Sequence, residues 1–506
     1  MTDDSVHSNE PTETSPSNED AISGPNHDVS FREAFWVWVQ VAAYSFGGPA
    51  GQIGVMHKLL VSQKRWISER RFLHAMNYTM LLPGPEAQQL ATYIGWLLHK
   101  TKGGIVAGTL FILPGFVSIL VLSILYAEFR EVTTVEAIFF GLQAAVLAIV
   151  VEALLRIGSR ALANAAMVAI AAGAFIGIFV FDILFPIIIL AAGLVGFFGH
   201  RYAPEVFTVI TGHGSNDDED YEGAEAVETL DKESESILDD QGEPVASDES
   251  ETETVISDEI VADHERPSTW RAVRVAAFWG SLWFGPLVGL YLVLGAGHIF
   301  TQEGIFFSQV AVVTFGGAYA VLAYIAQEAV ATYGWLEPGE MIDGLGMAET
   351  TPGPLVQVVQ FVGFMGAYRN PGMLDPLVAG ILGSVVVTWV TFVPCFLFIF
   401  LGAPYIEYLR GKESLTAALS GITAAVVGII LNLAAWFGLH VLFEDHWTYD
   451  GYGMDLLVPF FETLDVAALV IVVGSFVLIF RFKQGMLRTL AMAMAAGLFY
   501  HLVLLA

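Results

Sequence analysis

Of the 506 residues, 55% are hydrophobic and the mean hydropathy is +0.61, which excludes a soluble globular domain and places the chain among polytopic membrane proteins. A formal net charge of −30 speaks against a nucleic-acid partner, and a single cysteine, Cys395, excludes an intramolecular disulfide and any multi-cysteine metal site.

Residues 1–31 read as an acidic, disordered tail: the first thirty hold seven acids and no Lys or Arg. They lack a basic segment followed by an apolar one, so no cleavable signal peptide is expected and the first membrane segment directs insertion. A first membrane repeat follows over 32–203. Its opening part is interrupted twice, by Phe46-Gly47-Gly48 and by Pro83-Gly84-Pro85. The flanking arms, 32–46, 49–60, 72–82 and 86–99, are 11 to 15 residues long. They reach roughly 16–22 Å, short of a hydrocarbon core of about 30 Å, which predicts re-entrant hairpins. One long broken crossing per pair of arms is the alternative. Four full-length spans are expected next, near 104–126, 135–156, 161–180 and 182–200.

Residues 204–267 form an acidic linker, also read as disordered, in which 211–265 holds twenty-one acids and Lys232 alone. Tail and linker account for nearly all the net charge, so the membrane part is close to neutral. A connecting transmembrane helix lies within 268–297, and a second membrane repeat occupies 298–506. Within the latter, 443–455 reads as an exposed acidic loop.

The repeats are visible directly. Phe46, Gly47, Gly48, Trp66, Pro83, Gly84, Pro85 and Gln88 align without a gap on Phe315, Gly316, Gly317, Trp335, Pro352, Gly353, Pro354 and Gln357. After an insertion near 369–376, Pro114, Phe116, Gly141, Ala144, Ala145 and Gly158 align on Pro394, Phe396, Gly421, Ala424, Ala425 and Gly438. Charge suggests that the copies are inverted. Segment 57–72 carries Lys58, Lys64, Arg65, Arg70 and Arg71, whereas 326–341 has no basic residue and carries Glu328, Glu337 and Glu340. The positive-inside rule then puts the amino terminus and the linker in the cytoplasm. The odd connecting helix supplies the inversion.

Inverted repeats with interrupted helices are a recurrent plan of secondary transporters, whose sites form where half-helices end near the midplane. Pro85 suits a first helical turn, Gly84 permits close backbone approach, and the N–H groups of Glu86, Ala87 and Gln88 point into the break with the positive end of the dipole. Such a terminus attracts an anion. The corresponding donors of the second copy are Leu355, Val356 and Gln357, beside Gly353, with the hydroxyls of Thr350 and Thr351 upstream.

Two long stretches carry a family resemblance. "FGGPAGQIGVMHKLLVSQKRWISERRFLHAMNYTMLLPGPEAQQLATYIGWLLHKTKGGIVAGTLFILPG" resembles the amino-terminal signature of the chromate ion transporter (CHR) family, and "FGGAYAVLAYIAQEAVATYGWLEPGEMIDGLGMAETTPGPLVQVVQFVGF" resembles its carboxy-terminal partner. The resemblance implies an all-α, two-domain transporter of chromate in the cell membrane, commonly an efflux protein conferring chromate resistance. Chromate is a tetrahedral dianion like sulfate, so a related oxyanion fits as well. The implied partners are the oxyanion and the lipid bilayer, with no cofactor; a homo-oligomer is left open.

Several side chains admit two readings. Gln88 and Gln357 either donate to an oxyanion or make packing contacts. Glu86 either caps its helix or couples transport to a proton, and Gly47, Gly48, Gly316 and Gly317 either serve the site or allow close helix packing. The basic cluster Lys64, Arg65, Arg70 and Arg71 serves either as an attracting funnel or as an orientation signal. Glu152 and Arg156 are spaced to pair on one helical face. Cys395 reads as a small core residue, and Asp182 as interfacial. No metal-ligand spacing emerges among the twelve histidines. A passive anion channel is the competing class. A membrane-embedded enzyme would need a cluster of nucleophile, base or metal ligands, whereas the recurrent polar groups are Gln and Gly. In a Cys395→Ser background, an impermeant thiol reagent added outside should modify a cysteine at position 337 and spare one at 69; equal labelling would remove the inverted repeat.

Overall fold

The computed structural model describes residues 29–46, 48–207, 268–315, 317–405 and 413–504. The tail and the linker therefore lie almost wholly outside the described residues, as do Gly47 and Gly316. What is described is an all-α polytopic membrane protein with one small β-hairpin.

Both copies build the same series of elements. The first runs Phe31–Tyr44, Gly48–His57 with a π turn over Lys58–Gln63, Glu69–Met80, and the stretch Glu86–Phe129; the second runs Ile299–Val313, Ala318–Gln327 with a π turn over Glu328–Thr332, Pro338–Thr350, and Val358–Arg369 followed by Pro376–Gly402. Local chemistry starts these helices. Ser30 accepts from the Glu33 N–H, Ser68 from that of Arg71, and Glu337 with Glu340 forms a capping box ahead of Pro338.

Glu86–Phe129 is a hairpin of two helices. His99 and Lys100 leave helical geometry, Lys100 with φ +54°, and the chain reverses. A Cβ on Gly95 would lie 2.6 Å from the Gly103 carbonyl oxygen, and one on Gly104 would lie 2.9 Å from that of Thr92. Glycines thus permit the contact of 86–98 with 101–129. The second copy replaces this tight turn by 370–375, where the insertion was expected, and Asp375 caps the next helix.

The arms before and after each break also fold back on one another. Tyr78 and Tyr93 face across the first PGP with ring centroids 5.5 Å apart, and Gly344 lies against Phe361 across the second. At one end of the bundle His57 meets Glu69 (2.5 Å), Lys64 meets Glu33 (3.0 Å) and His99 meets the Val29 carbonyl oxygen (2.8 Å). At the other end Arg130 reaches Glu337 (2.8 Å) and Glu340, and Arg369 grips Glu340 through both terminal nitrogens (2.7 and 2.6 Å). Each pair of arms is thus a helical hairpin folded back at its break.

Equivalent helices of the two copies pack antiparallel. Gly104 lies against Phe400 and Gly108 against Phe396; likewise Gly158 faces Val427 and Gly438 faces Leu147, where Thr133–Ala161 crosses its equivalent Glu413–Leu442. Each copy then lends its last two helices to the other. Ala165–Phe179 and Phe185–Tyr202 pack on Glu413–Leu442, while Val466–Phe476 and Met486–Phe499 pack on Thr133–Ala161. Small residues allow the approach: Gly141 meets Ala493, and its equivalent Gly421 meets Ala192. Thr269–Leu294 runs along the outside of Pro376–Gly402, with Trp279 stacked on Phe396 (5.3 Å).

Two expectations need correction. The span expected over 161–180 is a helix only over Ala165–Phe179, 15 residues, and at 1.5 Å per residue it falls short of an ordinary core of about 30 Å. Asn164 caps its start and the turn at Phe181-Asp182 ends it, Asp182 adopting φ +50°. The acidic stretch 443–455 is also more than a loop: His446–Gly451 and Met454–Pro459 pair antiparallel around Tyr452-Gly453, whose φ values of +56° and +75° suit a type I′ turn.

Glu340 has no exposed surface and is held by two arginines. Glu340→Ala should lower the stability of the detergent-solubilised protein by about 3–5 kcal/mol, the cost of leaving buried ionic partners uncompensated. Thermal unfolding unchanged within error would show that this cluster does not hold the bundle end together.

Candidate functional site

The four breaks meet in two pairs, each joining one copy to the other. The Gly84 N–H donates to the Thr314 carbonyl (2.8 Å), and the Gly353 N–H donates to the Ser45 carbonyl (2.9 Å). These bonds are equivalents of each other under the repeat. Each PGP turn therefore docks on the residue preceding the FGG of the other copy. Both PGP glycines have left-handed φ, +124° and +113°, as do Gly48 (+71°) and Gly317 (+100°), which explains why glycine stands at all four positions.

The breaks gather half-helix amino ends at Gly48, Glu86, Ala318 and Leu355. Among the described residues, the N–H groups of Glu86, Ala87, Gln88, Leu355 and Val356 meet no acceptor, as first-turn donors ordinarily do. Gln357 departs from expectation: its N–H closes a 3₁₀ turn on the Pro354 carbonyl (2.8 Å) and is not free to donate. The hydroxyls of Thr350 and Thr351 likewise donate to carbonyls of their own helix, those of Met347 and Ala348.

The glycines divide into two kinds. A Cβ on Gly353 would stand 3.1 Å from the Gly115 Cα, and one on Gly84 would stand 2.8 Å from the Sγ of Cys395, the residue equivalent to Gly115. The close approach at PGP is thus a contact between copies. Cys395, fully buried, is a core residue as expected, and it forms the floor beneath Gly84. Beside Gly48 and Gly317, by contrast, no atom lies within 4 Å of the Cβ position. Helix packing does not explain the described FGG glycines; backbone geometry does.

Gln88 and Gln357 are both buried and partly committed. Gln88 Nε2 donates to Thr92 Oγ1 (3.1 Å), Gln357 Nε2 to Gln360 Oε1 (2.6 Å), and in each the Oε1 has no partner among the described residues. Three further glutamines, not singled out from sequence, hold the breaks: Gln89 donates to the Pro83 carbonyl (2.7 Å), Gln52 to that of Gly353 (2.5 Å) and Gln360 to that of Phe116 (2.9 Å). Glu86 is the half-buried first residue of its helix, behind Pro85 at the cap position.

The sequence model of the chromate transporter family matches residues 32–197 and 302–499, so it covers both breaks of both copies. The chain belongs to the chromate transporter family. It is similar to the chromate transport protein of Pseudomonas aeruginosa, 28% identical over 83% of each chain. It is also similar to that of Cupriavidus metallidurans, 25% identical over 79% of this chain and 81% of the relative, and to an uncharacterized transporter of Methanocaldococcus jannaschii, 22% identical over 92% of each. No solved structure matches the chain.

Among the described residues of this chromate transporter family member, the fully buried acids all lie in the second copy, and of them the sequence reading named only Glu340, as a charge of the 326–341 segment. Glu303, Glu340, Asp343 and Glu349 are buried, where the first copy has Ala34, Arg71, His74 and Met80. Asp343 accepts from the Tyr126 hydroxyl (2.7 Å) and from Gln143 (2.7 Å), and Glu349 from the Tyr319 hydroxyl (2.5 Å). Acids inside segments of membrane depth, unmatched by the repeat, are the signal that would have found them. Glu152 and Arg156 pair as expected (2.7 Å). Of the basic cluster, Lys64 holds Glu33.

The two kinds of glycine should respond differently to alanine. Gly317→Ala should cost only the strain of an unusual backbone region, about 1–3 kcal/mol. Gly353→Ala adds a tight contact with the Gly115 backbone, 3.1 Å from its Cα, and should cost more. Thermal unfolding in detergent orders the pair; the reverse order would contradict the packing at PGP.

Proposed function

We propose that the chain is a secondary carrier that moves chromate, or a related tetrahedral oxyanion such as sulfate, across the cell membrane, in the direction of efflux, and that the oxyanion sits at the paired breaks. The observation that carries this reading is the reciprocal bonding of the breaks. It directs half-helix amino ends from both copies towards common points, where oriented N–H groups and dipoles favour an anion without a full positive charge. The site so proposed comprises Gly47, Gly48, Gly84, Glu86, Gln88, Gly316, Gly317, Thr350, Thr351, Gly353 and Gln357. Within it the free N–H groups at 86–88 and 355–356 are the donors, and Gln88 and Gln357 lend side chains once they turn from their present partners.

On this reading the copies cross the membrane in opposite senses, with the amino terminus and the linker in the cytoplasm. Two observations support it. Equivalent helices pack antiparallel, and segment 57–72, with its basic residues, gathers at the end of the bundle opposite 337–340. Glu86 acts here as an electrostatic cap on its helix terminus.

Flux of labelled chromate into sealed vesicles containing the full chain tests the proposal. A carrier shows saturation and exchange, whereas a passive channel conducts without exchange; competition by sulfate reads the substrate range. Gln88→Leu or Gln357→Leu removes a donor to a charged partner and should weaken apparent chromate affinity roughly ten- to a hundred-fold. Glu86→Gln should weaken transport modestly at every pH. Affinity and flux unchanged in all three variants would move the oxyanion away from the PGP breaks.

A further inference from the structure

Glu349 is 2% exposed and stands one residue before the Thr350-Thr351 step into the second PGP. One of its oxygens accepts from the Tyr319 hydroxyl, and the other, Oε2, meets no donor among the described residues. Tyr319 in turn is the second residue of the helix that follows the second FGG. The bond therefore ties the two breaks of one copy together, while each of those breaks is hydrogen-bonded to the other copy. Nothing in the repeat demands this arrangement: the equivalents of Glu349 and Tyr319 are Met80 and Ala50. The neighbouring ion pair is equally unmatched, for Glu152 and Arg156 correspond to Asn432 and Trp436.

We propose that Glu349 is the proton-binding site of the carrier, taking up one proton on Oε2 and releasing it as the breaks rearrange around the oxyanion. The inference rests on the carrier reading above. A proton is the ligand that fits, because a buried carboxylate with one bare oxygen is completed by the smallest cation. The electrically active groups facing Glu349 are Tyr319, from the helix after FGG, and Glu152 with Arg156, from Thr133–Ala161. The other helices packed on Pro338–Thr350, namely 101–129, 358–369, 413–442 and 486–499, bring no charged side chain to it. Arg130 and Arg369 are occupied by Glu337 and Glu340 at the far end of that helix. Arg156 gives only Nη2 to Glu152, and its buried Nε has no partner among the described residues. Its charge, already shared with Glu152, still attracts Glu349 when the proton leaves. Proton loss then changes the charge between both pairs of breaks, which is what coupling requires.

The test uses the full chain in proteoliposomes, with two readouts: chromate counterflow without a pH gradient, and chromate accumulation driven by one. Glu349→Gln should keep counterflow within about twofold while losing at least about tenfold of the gradient-driven accumulation, and chromate addition should no longer shift internal pH. Tyr319→Phe should retain coupling but move its pH profile to higher pH, since a donor that favours the ionised carboxylate is gone. The proposal is overturned if Glu349→Gln still accumulates chromate under a pH gradient, if it loses counterflow as well, if Tyr319→Phe leaves the profile unmoved, or if Glu86→Gln or Glu303→Gln abolishes coupling instead. Absence of chromate counterflow in the unmodified protein would be a different result, and would end the carrier reading itself.

Discussion

Two backbone hydrogen bonds, Gly84 to Thr314 and Gly353 to Ser45, set the terms for the rest of the molecule. A helix interrupted inside a membrane leaves polar backbone groups that hydrocarbon cannot satisfy, and each such group costs several kcal/mol. Here the orphan carbonyl at the end of one broken helix receives the N–H of a turn in the other copy. Donor and acceptor belong to different copies in both bonds. In this chain neither copy completes its breaks alone, so each depends on the other. The docking also fixes the residues behind the turns, where Gly115 and Cys395 are small enough for the PGP backbone to approach.

The scaffold is symmetric and its charge is not. At 337–343 the second copy places carboxylates, two of them buried, and Arg130 and Arg369 tie that hairpin to neighbouring helices. The first copy has Ser68, Arg71 and His74 at the equivalent positions, and its hairpin is held by the partly exposed pairs His57–Glu69 and Lys64–Glu33. Exposed pairs contribute about 0–1 kcal/mol, whereas breaking a buried one costs several.

Much of this was legible in the amino-acid sequence, because the repeat displays its own anchors: FGG, PGP and the glycines at 141, 158, 421 and 438 recur at fixed spacing. The Glu152–Arg156 pair followed from helical geometry alone. What stayed hidden depended on contacts between distant segments. Nothing local in a PGP triplet says that it docks on the other copy's FGG, or that its glycine is needed against Cys395 or Gly115. The reversal at His99-Lys100 lacks a proline and is made possible by Gly95, Gly103, Gly104 and Gly108, whose meaning appears only when the two helices lie together. Glu303, Asp343 and Glu349 were missed for the opposite reason, since a search for recurrent residues overlooks those that occur in one copy.

The absence of an uncommitted arginine among the groups described at the breaks bears on how a dianion could be handled there. Arg130, Arg156 and Arg369 each already hold a carboxylate. If the oxyanion sits at the breaks as proposed, its charge is met mainly by backbone N–H groups, helix dipoles and amide side chains. Such donors are neutral, so they need no counter-ion when the site is empty, and an unliganded carrier can change conformation without exposing a buried charge. They also bind less tightly than a guanidinium fork. Weak, oriented and neutral donors suit a site that must release what it binds on every cycle, whereas a pocket built on free arginines would hold a dianion strongly and let it go slowly.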